Sequence, residues 1–241
     1  MTKSDNSPEK HAEWRFYGRR VGKKMTATRQ ALIDDLYPKL CIPTDKITKE
    51  ADLDPVSLFA FTPEKLILEI GFGGGERLAE HLKREPKTGF IGAEPFSNGM
   101  SSFLKDITDQ ESIDQGNVRV HMDDVIPLAK SFTDHAFDTI MVLNPDPWHK
   151  TRHHKRRIIN QDNLDIFSRI LKPGGTLVMT TDVRDLIEWM VTETSNHQDF
   201  EWNAKSSADW KNPPKDWIGT KYETKGAKGA DRMHYLFFTK K

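Results

Sequence analysis

Leu66-Ile67-Leu68-Glu69-Ile70 runs directly into Gly71-Phe72-Gly73-Gly74-Gly75-Glu76, and the fold follows from that junction. A short, almost wholly apolar run closed by glycines predicts a buried strand. Glycines let the backbone turn sharply and approach a ligand closely. Directly afterwards, within residues 77–84, Leu78, Ala79 and Leu82 recur at helical spacing. Strand, tight turn and helix form the opening half of a βαβ unit. The alternation continues: residues 89–93, 118–122, 138–143, 176–181 and 235–239 predict further strands. Between them, residues 97–106 predict a helix, Leu164, Phe167, Ile170 and Leu171 mark a helix face, and residues 186–191 begin another. Lys172-Pro173-Gly174-Gly175 is expected to stop the helix before it. Strands alternating with helices imply an α/β fold, a parallel sheet covered on both faces. Right-handed crossovers then make it doubly wound. Ligands in such sheets sit at the carboxyl ends of the strands.

Upstream of this unit the pattern is weak. Residues 1–13 read as a mobile tail, residues 14–62 as a basic N-terminal extension with one or two short helices and no core of its own, and residues 63–241 as the main domain. Apolar runs stop at about four residues, far short of the ~20 that cross a membrane. The polar first ten residues predict no secretory signal. Cys41 is the only cysteine, which excludes an internal disulfide and fits a reducing, cytoplasmic setting.

Lys+Arg and Asp+Glu are both 36, so the formal net charge is zero. The charge is nevertheless segregated. Residues 14–30 carry Arg15, Arg19, Arg20, Lys23, Lys24 and Arg29 without an acid, and residues 148–157 carry Lys150, Arg152, Lys155, Arg156 and Arg157 without an acid. Each run is interleaved with aromatics (Trp14, Phe16 and Tyr17; Trp148), the pattern of a surface that meets a nucleic acid.

The strand ends carry the chemistry. The glycine turn departs from the dinucleotide fingerprint G-x-G-x-x-G, because the third glycine falls at Gly75. Glu69 would repel a pyrophosphate and suits a ligand with a positive amino-acid end. Glu94, about 20 residues past the turn, can accept from ribose hydroxyls. Asp123 and Asp124 follow the third strand, where either could accept from an adenine amine or cap the next helix. After the fourth strand, Asn144-Pro145-Asp146-Pro147-Trp148-His149-Lys150 holds Asp146 in a turn stiffened by two prolines. Asp182 follows the fifth strand. Thr220-Lys221-Tyr222-Glu223 reads by itself as an ordinary polar loop. His149, His153 and His154 have no acid or cysteine beside them in sequence, so they read as solvated or phosphate-facing and not as metal ligands.

Taken together, the glycine turn, Glu94, the Pro-Asp-Pro-Trp-His-Lys block with its basic tail, Thr181-Asp182 and residues 220–223 resemble the bacterial tRNA (guanine-N7)-methyltransferase family over nearly the whole chain. The resemblance implies a Rossmann-like class I fold: a seven-stranded, mostly parallel sheet whose last strands form an antiparallel hairpin. It implies S-adenosylmethionine as cofactor and tRNA as partner, with methylation of guanine N7 in the variable loop. By the same resemblance, Glu69, Gly71, Gly73, Glu94, Asp123 and Asp146 hold the cofactor and Asp146 is catalytic. Lys150, Asp182, Thr220, Lys221, Tyr222 and Glu223 meet the substrate. Arg152, His153, His154, Lys155, Arg156 and Arg157 meet RNA. Asn144 departs from the family, which usually has an aromatic there. No metal or membrane is expected, and the chain is a monomer or homodimer. The rival readings are a methyltransferase acting on an exocyclic base amine and a tRNA-binding protein without catalysis.

Overall fold

The computed structural model describes residues 17–110, 115–220, 223 and 232–241. The expected tail at 1–13 lies outside them, as do Trp14, Arg15, Phe16, Lys221 and Tyr222.

Seven strands form one sheet: β1 (Lys65–Ile70), β2 (Thr88–Ala93), β3 (Val118–His121), β4 (Phe137–Leu143), β5 (Leu171–Thr181), β6 (Phe200–Trp202) and β7 (His234–Lys240). Their order is β3-β2-β1-β4-β5-β7-β6. The first five are parallel, while β7 runs antiparallel to both β5 and β6. The chain winds outward from β1 to β3, then restarts on the other side of β1 with β4. That reversal opens a crevice above the carboxyl ends of β1 and β4.

Both faces of the sheet are covered, so its central strands are apolar on both sides. One face presents Leu66, Leu68 and Ile70 of β1 with Ile140 and Val142 of β4. It packs against α5 (Val125–Ser131), α6 (Gln161–Ile170) and α7 (Arg184–Asn196). The other presents Ile67, Phe90, Met141 and Leu143 to α3 (Glu76–Arg84) and α4 (Ser97–Asp109). By alternation along β1, Glu69 stands on this second face.

The extension before the domain packs on it. It contains α1 (Ala27–Asp35) and α2 (Tyr37–Leu40). Leu40 and Ile42 are buried, Cys41 bridges to Val120 of the outermost strand, and the Ile42 N–H donates to the Val120 carbonyl at 3.0 Å.

One local expectation changes, and three short elements carry no sequence signal. Leu171, expected on the helix face, is instead the first residue of β5: α6 ends at Ile170 and the Lys172–Gly175 stretch lies within the strand, with a register irregularity opposite Phe137 and Thr139 and Gly174 at φ +78°. β6 has three residues, too few for a periodic signal. α5, with Pro127 inside it, and α8 (Ser207–Lys211) are likewise short. Among the described residues no helix is long and apolar enough to cross a membrane.

Gly75, where α3 begins, sits at φ +76°, and a Cβ there would lie 2.4 Å from Cδ2 and 2.7 Å from Cβ of the buried Phe103. Gly71 has φ +71° with nothing within 4 Å of such a Cβ. Gly75→Ala is therefore expected to cost about 3 kcal/mol, a left-handed penalty plus overpacking. Gly71→Ala costs about 1 kcal/mol, the backbone penalty alone. Chemical denaturation of the two variants measures the difference.

Candidate active site

A cleft of about 630 Å³ opens at the β1/β4 crevice. The glycine turn meets it through Gly71. Gly71, Gly73 and Gly75 all have positive φ, and the Gly71 N–H donates to the Ala93 carbonyl at 2.7 Å. Glu94 fastens this turn to the end of β2: Oε2 accepts from the Gly73 N–H at 2.6 Å and Oε1 from the Phe96 N–H at 2.8 Å. Burial raises the Glu94 pKa, the two N–H groups pull it back, and the Asp146 charge adds to the rise. Each carboxylate oxygen keeps acceptor capacity for a ligand.

Beyond β3 the two aspartates divide their roles. The Asp124 side chain caps α5 by accepting from the Ile126 N–H at 3.0 Å. Asp123, at the cleft, pairs with Arg20 at 2.7 Å. Burial works against ionisation of Asp123, but Arg20 and the Asp124 N–H outweigh it and lower its pKa. Tyr17, Gly18 and Arg19 also line the cleft, so the extension forms part of its wall.

Asp146 stands exposed on the same cleft, on a turn with uncommon geometry. Asn144 at φ +49° and Trp148 at φ +47° bracket Pro145-Asp146-Pro147. Left-handed φ is rare outside glycine, least so for asparagine. The Asn144 N–H donates to the Thr180 carbonyl at 2.9 Å, and the Thr180 hydroxyl donates to Asn144 Oδ1 at 3.3 Å. Downstream, the Arg157 Nε–H donates to the Pro147 carbonyl at 2.9 Å. The same guanidinium pairs with Asp185 on α7 and lies 5.0 Å over the Trp189 ring.

That geometry corrects one expectation. Arg157 is 1% exposed, so it braces the turn from within the cleft wall and does not stand on the outer rim with the rest of the run. The rest of the basic run winds through a 3₁₀ helix, Thr151–Arg156. Lys150, Arg152 and Lys155 are exposed. Arg156 is sandwiched between Tyr17 at 4.4 Å and Trp148 at 5.0 Å. His153 meets Trp148 edge-on and His154 meets Trp189 edge-on. Slight desolvation and the surrounding Arg156, Arg152, Lys150 and Lys155 lower the His153 pKa. Among the described residues no cluster of three or more His, Cys, Asp or Glu could hold a metal.

A second polar cluster lies along the same edge of the sheet. β7 is antiparallel, so its first residues pair with the end of β5: Tyr235 with Thr180 and His234 with Thr181. Glu223 is gathered there. Its carboxylate accepts from Trp217 Nε1 at 3.1 Å, the Thr220 N–H at 3.1 Å and the Tyr235 hydroxyl at 3.2 Å. In return the Glu223 N–H donates to the Thr220 hydroxyl at 3.1 Å. Burial, then the Glu223 charge and hydrogen bond, push the Tyr235 pKa up to about 12. Asp182, just past β5, is buried. Glu69 is 4% exposed and lies 3.8 Å from Arg77 Nη1. Burial raises its pKa and Arg77 opposes the rise.

The structure thus brings Gly71, Glu94, Asp123, Asp146, Lys155 and Arg156 around one cleft. Gly73, Glu69, Asp182, Thr220 and Glu223 are not among its lining residues, nor are Lys150, Arg152, His153 and His154 of the basic run; Glu69 and Asp182 stand at neighbouring strand ends, and Thr220 and Glu223 on the segment before β7. Sequence reasoning missed the partners Arg20, Arg77, Trp217 and Tyr235: Arg20 and Arg77 reach Asp123 and Ile218 far along the chain, and Trp217 and Tyr235 meet Glu223 across an irregular segment whose course no periodicity reveals.

A family model described as "Putative methyltransferase" matches residues 63–236. A tRNA (guanine-N(7)-)-methyltransferase of Bartonella henselae is 40% identical over 226 residues, covering 94% of this chain and 95% of the relative. One of Rhodospirillum rubrum is 39% identical over 235 residues, covering 97% and 91%. The chain belongs to this methyltransferase family. At the level of fold alone, it is similar to the aminoglycoside resistance methyltransferase NpmB1, with TM-score 0.50 and 15% identity over 82% of this chain and 91% of that one.

Arg157→Met should lower stability by about 2 kcal/mol, since it leaves the Pro147 carbonyl and Asp185 without their donor. Arg152→Ala, at an exposed position, should stay within about 0.5 kcal/mol of the parent. Urea denaturation of the two variants checks the assignment.

Proposed function

We propose that this chain transfers a methyl group from S-adenosylmethionine to N7 of a guanine in the variable loop of tRNA. The observation that carries the reading is the stiffened Pro145-Asp146-Pro147 turn. It presents a carboxylate on the cleft that also holds Glu94, with the basic run leaving the same turn.

The cleft suits the cofactor. Its volume matches a nucleoside-sized ligand, and side chains are missing where the backbone of the glycine turn must be approached: a Cβ at Gly71 or Gly73 would stand in open space. In this reading Glu94 accepts from ribose hydroxyls, Asp123 from the adenine amine, and Asp146 faces the charged amino-acid end, while Glu69, buried at the end of β1 and off the cleft lining, adds its negative charge from behind the glycine turn. When bound, S-adenosylmethionine supplies a methyl group on a sulfonium; the S–CH₃ bond breaks as N7–CH₃ forms, sulfur keeps the electron pair, and positive charge passes to the purine.

Guanine N7 carries a free lone pair and no proton, so this chain needs no general base to make the nucleophile. Its work is alignment and charge. Asp146, fixed on a braced turn, steadies the positive charge as it moves toward the base. Glu223, with both oxygens already oriented by Trp217, Thr220 and Tyr235, accepts from donors on the guanine edge, beside Asp182 and Thr220. Lys150 and Arg152 on the rim, with Lys155 and Arg156, bind phosphates, while Arg157 keeps the turn in place. The name shared by the relatives favours N7 over an exocyclic amine, whose methylation would also require loss of a proton.

Two measurements follow. Asp146→Asn, at an exposed position, should keep its fold and tRNA affinity but lose on the order of 10²-fold or more in kcat. Borohydride and aniline scission of the product should cleave the tRNA at one internal guanosine; an unchanged kcat or uncleaved tRNA would refute the reading. Removing Lys150 or Arg152 should weaken tRNA binding and reduce the slope of log affinity against log salt by about one each.

A further inference from the structure

Arg77 is a charged residue 4% exposed in a layer that is apolar apart from Glu69 and a few polar groups, and the mechanism above does not use it. Its nearest carboxylate, Glu69, stands at 3.8 Å, beyond hydrogen-bond range. A guanidinium costs several kcal/mol to desolvate, and an apolar side chain of similar volume commonly serves stability as well or better. Core stability therefore does not explain an arginine here. Its other contacts do. Below, Nη1 reaches Met141 Sδ at 3.1 Å, and Met141 is the cross-strand partner of Glu69. The lower half of the guanidinium thus rests on β1 and β4, the two strands whose ends carry the glycine turn and the Asp146 turn. Above, Nε–H donates to the Ile218 carbonyl at 2.8 Å, across 141 residues, and the guanidinium lies 4.6 Å over the Trp217 ring. Trp217 in turn donates to Glu223. Burial lowers the Arg77 pKa, while Glu69, then Glu223 and Glu85, raise it, which places Glu223 within its electrostatic reach.

We propose that Arg77 is a positioning residue: it registers the segment carrying Trp217, Thr220 and Glu223 against β1 and β4, so that the guanine-edge acceptors stand at a fixed offset from the Asp146 turn. The inference rests on the proposed methylation of guanine for its catalytic consequence, though not for the contact itself. Arginine is required because a planar fork can stack on an aromatic ring and donate in its own plane at the same time. Lysine keeps the charge toward Glu69 and loses both upper contacts.

Arg77→Lys tests this, with Trp217→Leu, a half-buried position, as the second variant should the first fold poorly. Phosphate contacts dominate tRNA affinity, so the KM for tRNA and the Kd for S-adenosylmethionine by calorimetry should stay within about threefold. The kcat should fall at least about tenfold, the signature of lost alignment. Amide hydrogen exchange over residues 217–220 should quicken about tenfold while the sheet strands keep their protection. The double variant should be little worse than either single one, since both break one chain of contacts. A folded Arg77→Lys with parental kcat and parental exchange overturns the proposal, as does a loss confined to cofactor affinity. If the parent chain itself leaves guanine N7 unmethylated, the functional reading falls, and the exchange data still decide whether Arg77 holds the segment.

Discussion

The guanidinium of Arg157 determines where Asp146 stands. A carboxylate is useful in alkyl transfer only if it is fixed before the reactants arrive, because a side chain that must reorganise forfeits most of its electrostatic advantage. Two prolines restrict the turn but do not orient it. Orientation comes from its two anchors: Asn144 is tied to Thr180 on β5, and the Pro147 carbonyl is tied to Arg157, which is itself held by Asp185 and the Trp189 ring. Backbone strain at Asn144 and Trp148 is sustained by these contacts. The turn therefore belongs to the rigid body of the domain, although Asp146 itself faces solvent.

Charge is arranged by depth. Acids occupy the strand ends: Glu69, Glu94, Asp123 and Asp146 beside or around the crevice, and Asp182 and Glu223 along the same edge. Cations occupy the rim in Lys150, Arg152 and Lys155. A zero net charge conceals this layering, which lets a polyanion be attracted to the outside while a cationic small molecule is favoured within.

Most of the architecture was legible from pattern alone, because central parallel strands and amphipathic helices carry strong periodicity. The elements that escaped are the short ones: β6 with its three residues, and α5 and α8. At the site, residue types at strand ends pointed to Glu94, Asp123 and Asp146, and the structure places all three on one cleft. What sequence cannot express is pairing across distance. Arg157 looks like any other member of a basic run until its partner Asp185, 28 residues on, is seen to bury it. Asp123 and Asp124 are adjacent, chemically alike and both on the cleft lining, and only the start of α5 makes Asp124 the cap while Asp123 pairs with Arg20. Arg77 is hidden for the same reason, its carbonyl partner lying near the other end of the chain.

The outermost strand, β3, shows what the preceding extension contributes. Its backbone is engaged by Cys41 and Ile42, and the opposite margin of the sheet ends in the very short β6. Neither side offers another molecule a long ladder of unpaired amides. Copies that meet margin to margin therefore find little template for cross-β growth between them.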